Sequence, residues 1–396
     1  MLAVLPTLCK SARALAALVT SVVLIGCEPV SFGDGTGSGG PSINALEPVP
    51  VALLVPRGSG QSGDGVLAQS LENSARLAIA DLRGVEIDLR VYDTQGQASV
   101  AAAQAAQAVN DGAKIILGPV YGEAANAAGV AVANSNINVL SFSNNATIAG
   151  GNLFILGPTF DNTARRLTQY AARQGKGTMV VVHATDVAGQ LGRNAVAQAA
   201  ASTSGATVSA NVAYELSQQS VISTVPKVPD TVASTGAQSI FLTSTTAGAL
   251  PLFTQLLPES GVASPNVQFI GLTRWDIPPQ TLSLPGVQNG WFALPDPVAT
   301  EQFRNRYQSA YGTAPHPIGG LAYDGVAAIG ALVAAGRSNA LNGAALTQNA
   351  GFQGTGGIFR LRPDGTNERG LAVATIQNRQ VVVIDHAPRS FSGAGF

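Results

Sequence analysis

Residues 99–141 read SVAAAQAAQAVNDGAKIILGPVYGEAANAAGVAVANSNINVLS. Two alanine-rich segments of helical length, 99–111 and 123–134, alternate here with the short segments 114–117 and 138–141, which are built around the apolar triplet IIL and the apolar pair VL. Apolar runs of this length are too short for helices and are typical of strands that are buried in a parallel sheet. Strands that alternate with helices of about 10–15 residues predict right-handed βαβ units.

The same alternation continues outward from this stretch. Towards the N-terminus lie the apolar run 51–55, helical spacing over 68–82 and apolar–polar alternation over 85–91. Towards the C-terminus we predict strands over 154–156, 178–183, 207–214, 239–242, 267–270, 291–294 and 358–361, helices over 162–173, 189–204, 250–257, 298–311 and 319–335, and a hairpin of 371–376 with 380–384. The fold class is therefore α/β, with two lobes of doubly wound, Rossmann-like sheets.

The composition agrees with a protein that has large apolar cores. The chain has 396 residues, of which 46% are hydrophobic and 11% are charged, against a usual charged share of about 25%. Such a chain is not disordered, and its net charge of −1 argues against nucleic acid as a partner. No uninterrupted apolar run reaches the roughly 18–20 residues of a membrane span.

A basic, then apolar, then small-residue order at the start of the chain predicts a secretory signal peptide over 1–26. Lys10 and Arg13 precede an uncharged run over 14–25, and Gly26 closes the segment. These residues are therefore left out of the fold prediction.

Residues 24–27, LIGC, resemble the bacterial lipobox, in which the cysteine is acylated and the signal is cut before it. Two or three acyl chains on Cys27 would hold the protein at a membrane. A plain secretory signal with an incidental cysteine is the alternative. Residues 27–48, rich in Gly and Ser, are expected to form a flexible tether. Cys9 would be lost with the signal, so the mature chain would have one cysteine and no intramolecular disulfide.

Motifs of catalysis and cofactor binding are weak in this sequence. Residues 58–63, GSGQSG, match G-x-G-x-x-G, but the next helix is expected to begin beyond Gly63. Asp93 lies 30 residues past that glycine, where a ribose-binding acid is expected at about 20. The three histidines lack metal-site spacing, and no G-x-S-x-G elbow occurs. We predict a binder without cofactor, metal or catalysis, and interpret 58–63 as a rim of a cleft. A nucleophile and base joined only by the fold stay open as the enzymatic alternative.

Polar side chains follow the strand ends of both predicted lobes, where ligands bind in open α/β sheets. Ser143, Asn144 and Asn145 follow the strand 138–141 and are able to hydrogen-bond a small polar ligand. They are equally ordinary turn and N-cap residues.

The second lobe offers a matching set of strand-end residues. Asp186, Thr245 and Thr273 stand at these positions. Trp275 is either an apolar wall of the cleft or a cap on the core.

Five segments stand in a characteristic order along the chain. They read VYD at 91–93, VNDGAKIILGPVYG at 109–122, NVLSFSN at 138–144, FRNRYQSAYGTAP at 303–315 and LAYDGVAAIGAL at 321–332. In this order they resemble the type I periplasmic solute-binding proteins, the leucine/isoleucine/valine-binding class that serves ABC importers. The resemblance runs from about Pro50 to Asp385.

This resemblance implies two Rossmann-like lobes, joined by three hinge crossings, that close on a ligand. The first lobe would comprise 49–157 plus 295–351, the second 158–294 plus 352–387, and 388–396 would be a tail. The implied function is ligand binding for import, with an ABC permease as the partner.

The resemblance also implies binding residues. Family members hold a ligand carboxylate after the third and fourth strands, which corresponds to Gly122, where a serine is frequent, and to Ser143–Asn145. The acid that binds a ligand ammonium corresponds to Thr273, with Asp276 three residues on, and the closing aromatic corresponds to Ala188. The expected ligand is a small polar compound, an amino acid or a related one.

A second group with this fold is also similar, the penicillin-binding-protein activators, which are outer-membrane lipoproteins that contact peptidoglycan synthases. The lipobox, the tether and Glu28, in place of an aspartate that retains lipoproteins at the inner membrane, fit this group. A peptidoglycan synthase would then be the partner. Either reading predicts a periplasm-facing, lipid-anchored protein of the bacterial cell envelope, with the outer membrane favoured.

Overall fold

The computed structural model describes residues 40–391. The predicted signal peptide, Cys27, most of the tether and the end of the tail lie outside the described residues. Within 40–391, no helix combines the length and the apolar character needed to cross a lipid bilayer.

The first lobe begins with five strands and three helices. The strands are β1 (Val49–Val55), β2 (Ile87–Asp93), β3 (Ile115–Leu117), β4 (Val139–Ser141) and β5 (Leu153–Ile155), and the helices between them are α1 (Asp64–Asp81), α2 (Ala98–Asn110) and α3 (Gly122–Val132). All strands are parallel, in the order β2-β1-β3-β4-β5.

The chain then builds most of the second lobe. Its strands are β6 (Thr178–Ala184), β7 (Thr207–Tyr214), β8 (Ser239–Leu242), β9 (Gln268–Gly271) and β10 (Trp291–Pro295), and its helices are α4 (Phe160–Arg173), α5 (Val187–Ala201), α6 (Gln218–Thr224), α7 (Lys227–Thr235) and α8 (Leu250–Glu259).

After β10 the chain returns to the first lobe and later leaves it again. It forms α9 (Pro297–Tyr311), α10 (Gly320–Val333), α11 (Gly343–Leu346) and a small antiparallel sheet of β11 (Phe352–Gly354), β12 (Gly357–Leu361) and β13 (Asn367–Arg369). The hairpin β14 (Leu371–Gln377) and β15 (Gln380–Asp385) completes the second sheet, in the order β15-β14-β10-β9-β8-β6-β7. The predicted α/β fold with two Rossmann-like lobes is confirmed.

Helices cover both faces of each sheet. Successive side chains of a strand point to opposite faces, so alternate residues pack against different helices. Val51, Leu53 and Val55 pack with apolar residues of α1 and α10, whereas Ala52 and Leu54 pack with those of α2 and α3. In the second lobe, alternate residues of β6 likewise join two different core clusters. The buried strand residues are apolar on both faces, which is why they read as continuous apolar runs.

Helices α6 and α7 were not predicted. Pro226 and Pro229 indicate a break in this part of the sequence. In the structure Pro226 lies just before α7 and Pro229 lies in its first turn, where the missing N–H group has no intrahelical partner to lose.

The small sheet belongs by its packing to the first lobe. Phe352, Phe359 and Leu361 are buried in the same cluster as the core of β1, α1 and α10. The predicted boundary at 351/352 assigned these strands to the second lobe, whereas these three side chains pack in the core of the first. Their partners in the core come from α10 as well as from β1 and α1, which lie more than two hundred residues earlier in the chain, so no local pattern shows this packing.

The chain passes between the two sheets three times within residues 40–391, after β5, after β10 and before β14. The Nδ2 of Asn367 donates to the carbonyl oxygens of Ile155 and Gly157, at 2.8 Å each. The Nδ2 of Asn162 donates to the carbonyl oxygen of Asn367 at 2.9 Å. These bonds hold the first and third passages side by side.

Candidate functional site

The structure brings Gly122, Ser143 and Asn145 together on the first lobe. Gly122 opens α3, and a Cβ atom at this glycine would lie 3.4 Å from Asn145 Nδ2 and 3.6 Å from Ser143 Oγ. The two loops meet because β3 and β4 are neighbours and end at the same edge of the sheet. The predicted first-lobe residues therefore lie together at one edge of the sheet, where Asn144 and Asn145 reach the surface.

Much of the hydrogen-bonding capacity of these residues is used within the protein. Ser143 is buried, and its Oγ accepts from the Asn145 N–H at 3.1 Å. Asn145 Oδ1 accepts from the N–H and the hydroxyl of Thr147, at 3.0 and 2.8 Å, and caps the short helix at Ala146–Ile148. The turn and cap roles foreseen for these residues are thus present. Asn145 Nδ2 has no acceptor among the described residues, and Asn144 is exposed, so their amides are available to a ligand.

A cavity of about 630 Å³ separates this surface from the second lobe. Asn144 and Asn145 line one side, and Asp161, Asp186 and Ala188 line the other. We call it the amide–acid cavity. Its two lobes offer complementary groups, since carboxamides donate and accept whereas carboxylates only accept.

Asp186 is the N-cap of α5, and its Oδ1 accepts from the Gly189 N–H at 2.9 Å. This bond holds the carboxylate at the N-terminus of α5, beside Val187, which is 75% exposed. Ala188 lies where the family resemblance implies an aromatic residue. Its small side chain covers less of the cavity than an aromatic ring would. The second lobe therefore contributes a fixed acid in place of a covering ring.

Of the candidate ligand-binding residues identified in the sequence, Asn144, Asn145 and Asp186 line this cavity, whereas Gly122, Ser143, Thr245, Thr273 and Trp275 do not. Thr245 is exposed at the end of β8, and Thr273 donates from Oγ1 to the Ser244 carbonyl oxygen at 3.3 Å. Asp276 is held by Arg274, whose Nε lies 2.9 Å from its Oδ1. These residues follow strands β8 and β9, and the loop after each strand determines the direction of their side chains.

Trp275 is a core residue, in agreement with the second of the two alternatives given for it, a cap on the core. Its side chain is fully buried and stacks near Phe292, with ring centroids 6.3 Å apart. Gly271 and Gly290 form its cradle, since a Cβ atom at either would lie 2.2–2.3 Å from the indole. The loop after β9 turns the ring inwards because the second core has a large apolar space there.

The glycine-rich loop 58–63 is organised by contacts within the first lobe. Helix α1 begins at Asp64, beyond the third glycine as predicted, and Asp64 accepts from Ser59 Oγ at 2.5 Å and from Tyr121 Oη at 2.6 Å. Burial and the hydrogen bond to Asp64 raise the pKa of Tyr121 to about 12. Tyr121 therefore stays a neutral donor that joins the loop to α3.

A second cavity, of about 410 Å³, lies against the hinge and was missed by sequence reasoning. Arg274 and Ile277 of the second lobe face Phe303 and Arg304 of α9 and His316 near the start of α10. We call it the arginine cavity. Arg274 lies between Thr273 and Trp275, which were both candidates for ligand binding. Its position after the end of β9 was therefore the sequence signal that could have identified it. Within residues 40–391, no group of three or more acidic, His or Cys side chains is placed to hold a metal ion.

Comparisons with known proteins agree with this architecture. The model of the periplasmic binding protein family matches residues 48–380. A search of curated proteins found no match. Among solved structures, a candidate branched-chain amino acid ABC transporter from Rhodospirillum rubrum is 19% identical with a TM-score of 0.72, over 85% of this chain and 100% of that one.

Two further structures were solved with ligands. An ABC transporter substrate-binding protein from Desulfitobacterium hafniense in complex with Leu is 18% identical with a TM-score of 0.62, over 85% of this chain and 100% of that one. A solute-binding protein of an ABC transporter from R. palustris in complex with benzoate is 15% identical with a TM-score of 0.56, over 88% and 99%. The shared fold and the family match confirm the predicted resemblance, and the family's place is the periplasm or cell envelope. This chain belongs to the periplasmic binding protein family.

Proposed function

We propose that this protein binds a small polar ligand, an amino acid or a related compound, between its lobes and delivers it to an ABC permease. The amide–acid cavity carries this proposal, because amides of one lobe face the carboxylates of Asp161 and Asp186 on the other. A ligand with an ammonium group and a second polar group would bond to both lobes and so favour their closure. The role is binding without catalysis, as in the family.

Calorimetric titration of the full-length protein in mild detergent with the standard amino acids tests this proposal. We expect a saturable heat for at least one of them and about a tenfold weaker affinity in Asp186→Asn, because a charge-assisted bond to the ligand ammonium is lost. Asparagine is also a good N-cap, so α5 should keep its stability.

Asp296→Asn is the matched control, because Asp296 caps α9 in the same way and does not line the cavity. Its affinity should equal that of the unchanged protein. Flat titrations with all amino acids and with short peptides would contradict ligand binding. They would favour contact with a peptidoglycan synthase, which a pull-down of that enzyme would then have to show.

We also propose that Cys27 is acylated and that the protein faces the periplasm from a membrane, with the outer membrane favoured by Glu28. The LIGC motif after a basic and then apolar segment supports this proposal. Metabolic labelling with palmitate should label the unchanged protein and the Cys9→Ser variant, but not Cys27→Ser. Cys9 is the only other cysteine of the chain. Absence of label from all three proteins would exclude the lipid anchor.

A further inference from the structure

The arginine cavity has the chemistry of an anion site with apolar walls. Three guanidinium groups line it, those of Arg274, Arg304 and Arg369. Asp324 is the single carboxylate in its described lining. The volume of about 410 Å³ lies in the usual range for small-molecule sites, about 300–1,000 Å³.

The carboxylate of Asp324 is already engaged by protein donors. It is 1% exposed and accepts from the N–H and the hydroxyl of Thr355, at 2.6 and 2.9 Å, and Arg369 Nη1 lies 3.3 Å away. A ligand ammonium would therefore find no available acid among the described residues of this lining. This lining disfavours a zwitterionic amino acid, because an unpaired buried ammonium is costly.

Two arginines retain donors for a ligand. Asp276 engages Arg274 through Nε and Nη2, which orients the guanidinium and leaves Nη1 without a protein acceptor in the described chain. Trp275, buried directly beside Arg274 in sequence, anchors this loop. Within residues 40–391, Glu301 is the one acid paired with Arg304. Both side chains are about half exposed, so this pair contributes little and Arg304 can turn to a ligand.

His316 supplies a further neutral donor. Burial lowers its pKa, and its Nδ1 accepts from the Ile318 N–H at 3.4 Å, which assigns the ring proton to Nε2. Apolar side chains, among them Phe303, Ile277 and Ile318, form much of the remaining wall, together with Thr300 and Thr355.

We propose that the arginine cavity binds a compact organic carboxylate that lacks an ammonium group. Arg274 and Arg304 bind the carboxylate, and the apolar body packs against Phe303, Ile277 and Ile318. The site is separate from the amide–acid cavity, since the two share no lining residue. It joins the second lobe to the first beside the hinge, so an occupant bonds to both lobes.

Calorimetric titration of the full-length protein in detergent with benzoate tests this site, with benzamide as the neutral isostere. Benzoate should bind at least about tenfold more tightly than benzamide, and Arg274→Gln should weaken benzoate binding by about tenfold or more. Arg90→Gln is the matched control, because Arg90 also pairs with an acid two residues away and lies on β2, outside the cavity. It should leave the affinity for benzoate unchanged.

Arg304→Gln is the second variant if Arg274→Gln does not fold, and it should weaken benzoate binding in the same direction. The proposal is overturned if benzoate gives no heat at millimolar concentration, if benzamide binds equally well, or if neither arginine variant weakens binding. Asp186→Asn should not change benzoate binding, so failure here and failure of the proposed amino-acid site are distinguishable.

Discussion

Replacing Trp275 with alanine is expected to lower the free energy of unfolding by about 3–5 kcal/mol. The indole is fully buried in the core of the second lobe. It occupies the space that a side chain at Gly271 or Gly290 would need. These positions cannot shift far to fill the void, because β9 and β10 are paired inside the sheet. Urea unfolding followed by the fluorescence of Trp291, the other tryptophan of the chain, measures the loss.

Trp275→Phe separates volume from hydrogen bonding. Trp275 Nε1 is buried and has no hydrogen-bond partner among the described residues, so phenylalanine loses no such bond and should cost less than half as much as alanine. Val298→Ala, at a residue that is 66% exposed, should change stability by no more than about 0.5 kcal/mol. Equal losses in Trp275→Ala and Val298→Ala would show that the ring is not part of the core.

Replacing Asp324 with alanine is expected to cost a similar amount, about 3–5 kcal/mol. This substitution removes the acceptor of Thr355 and leaves the guanidinium of Arg369, 9% exposed, without its carboxylate. Arg369 still donates from Nε to the Leu156 carbonyl oxygen at 3.1 Å, so it stays in the hinge region with an unpaired charge. The free energy of unfolding from denaturant titration is the measurement.

Two companion variants test the physical reason. Asp88→Ala breaks a half-exposed pair with Arg90 and should cost no more than about 1 kcal/mol. Asp324→Ala combined with Arg369→Met should be more stable than Asp324→Ala alone, because the buried charge is gone. A double variant that is less stable than the single one would contradict this account.

Several parts of the molecule could be predicted from local sequence alone. The segments 114–117 and 138–141 contain the buried parallel strands β3 and β4, since a strand covered on both faces is mostly apolar. The loops after these strands met at one edge because neighbouring parallel strands end together, which placed Gly122 beside Ser143 and Asn145. Helix α7 was missed because Pro226 and Pro229 lie at its start, where proline is tolerated.

The order of strands and helices, the two lobes and the polar strand ends thus follow from residues that are close together in sequence. The burial of Trp275, the packing of Phe352 with the first lobe and the pairing of Asp324 with Arg369 do not. Each depends on contacts between separate elements of the fold, such as the pair of Asp324 with Arg369 across 45 residues. Local periodicity sets which face of an element is apolar, whereas the packing of distant elements determines which side chain faces the core and which faces a cavity.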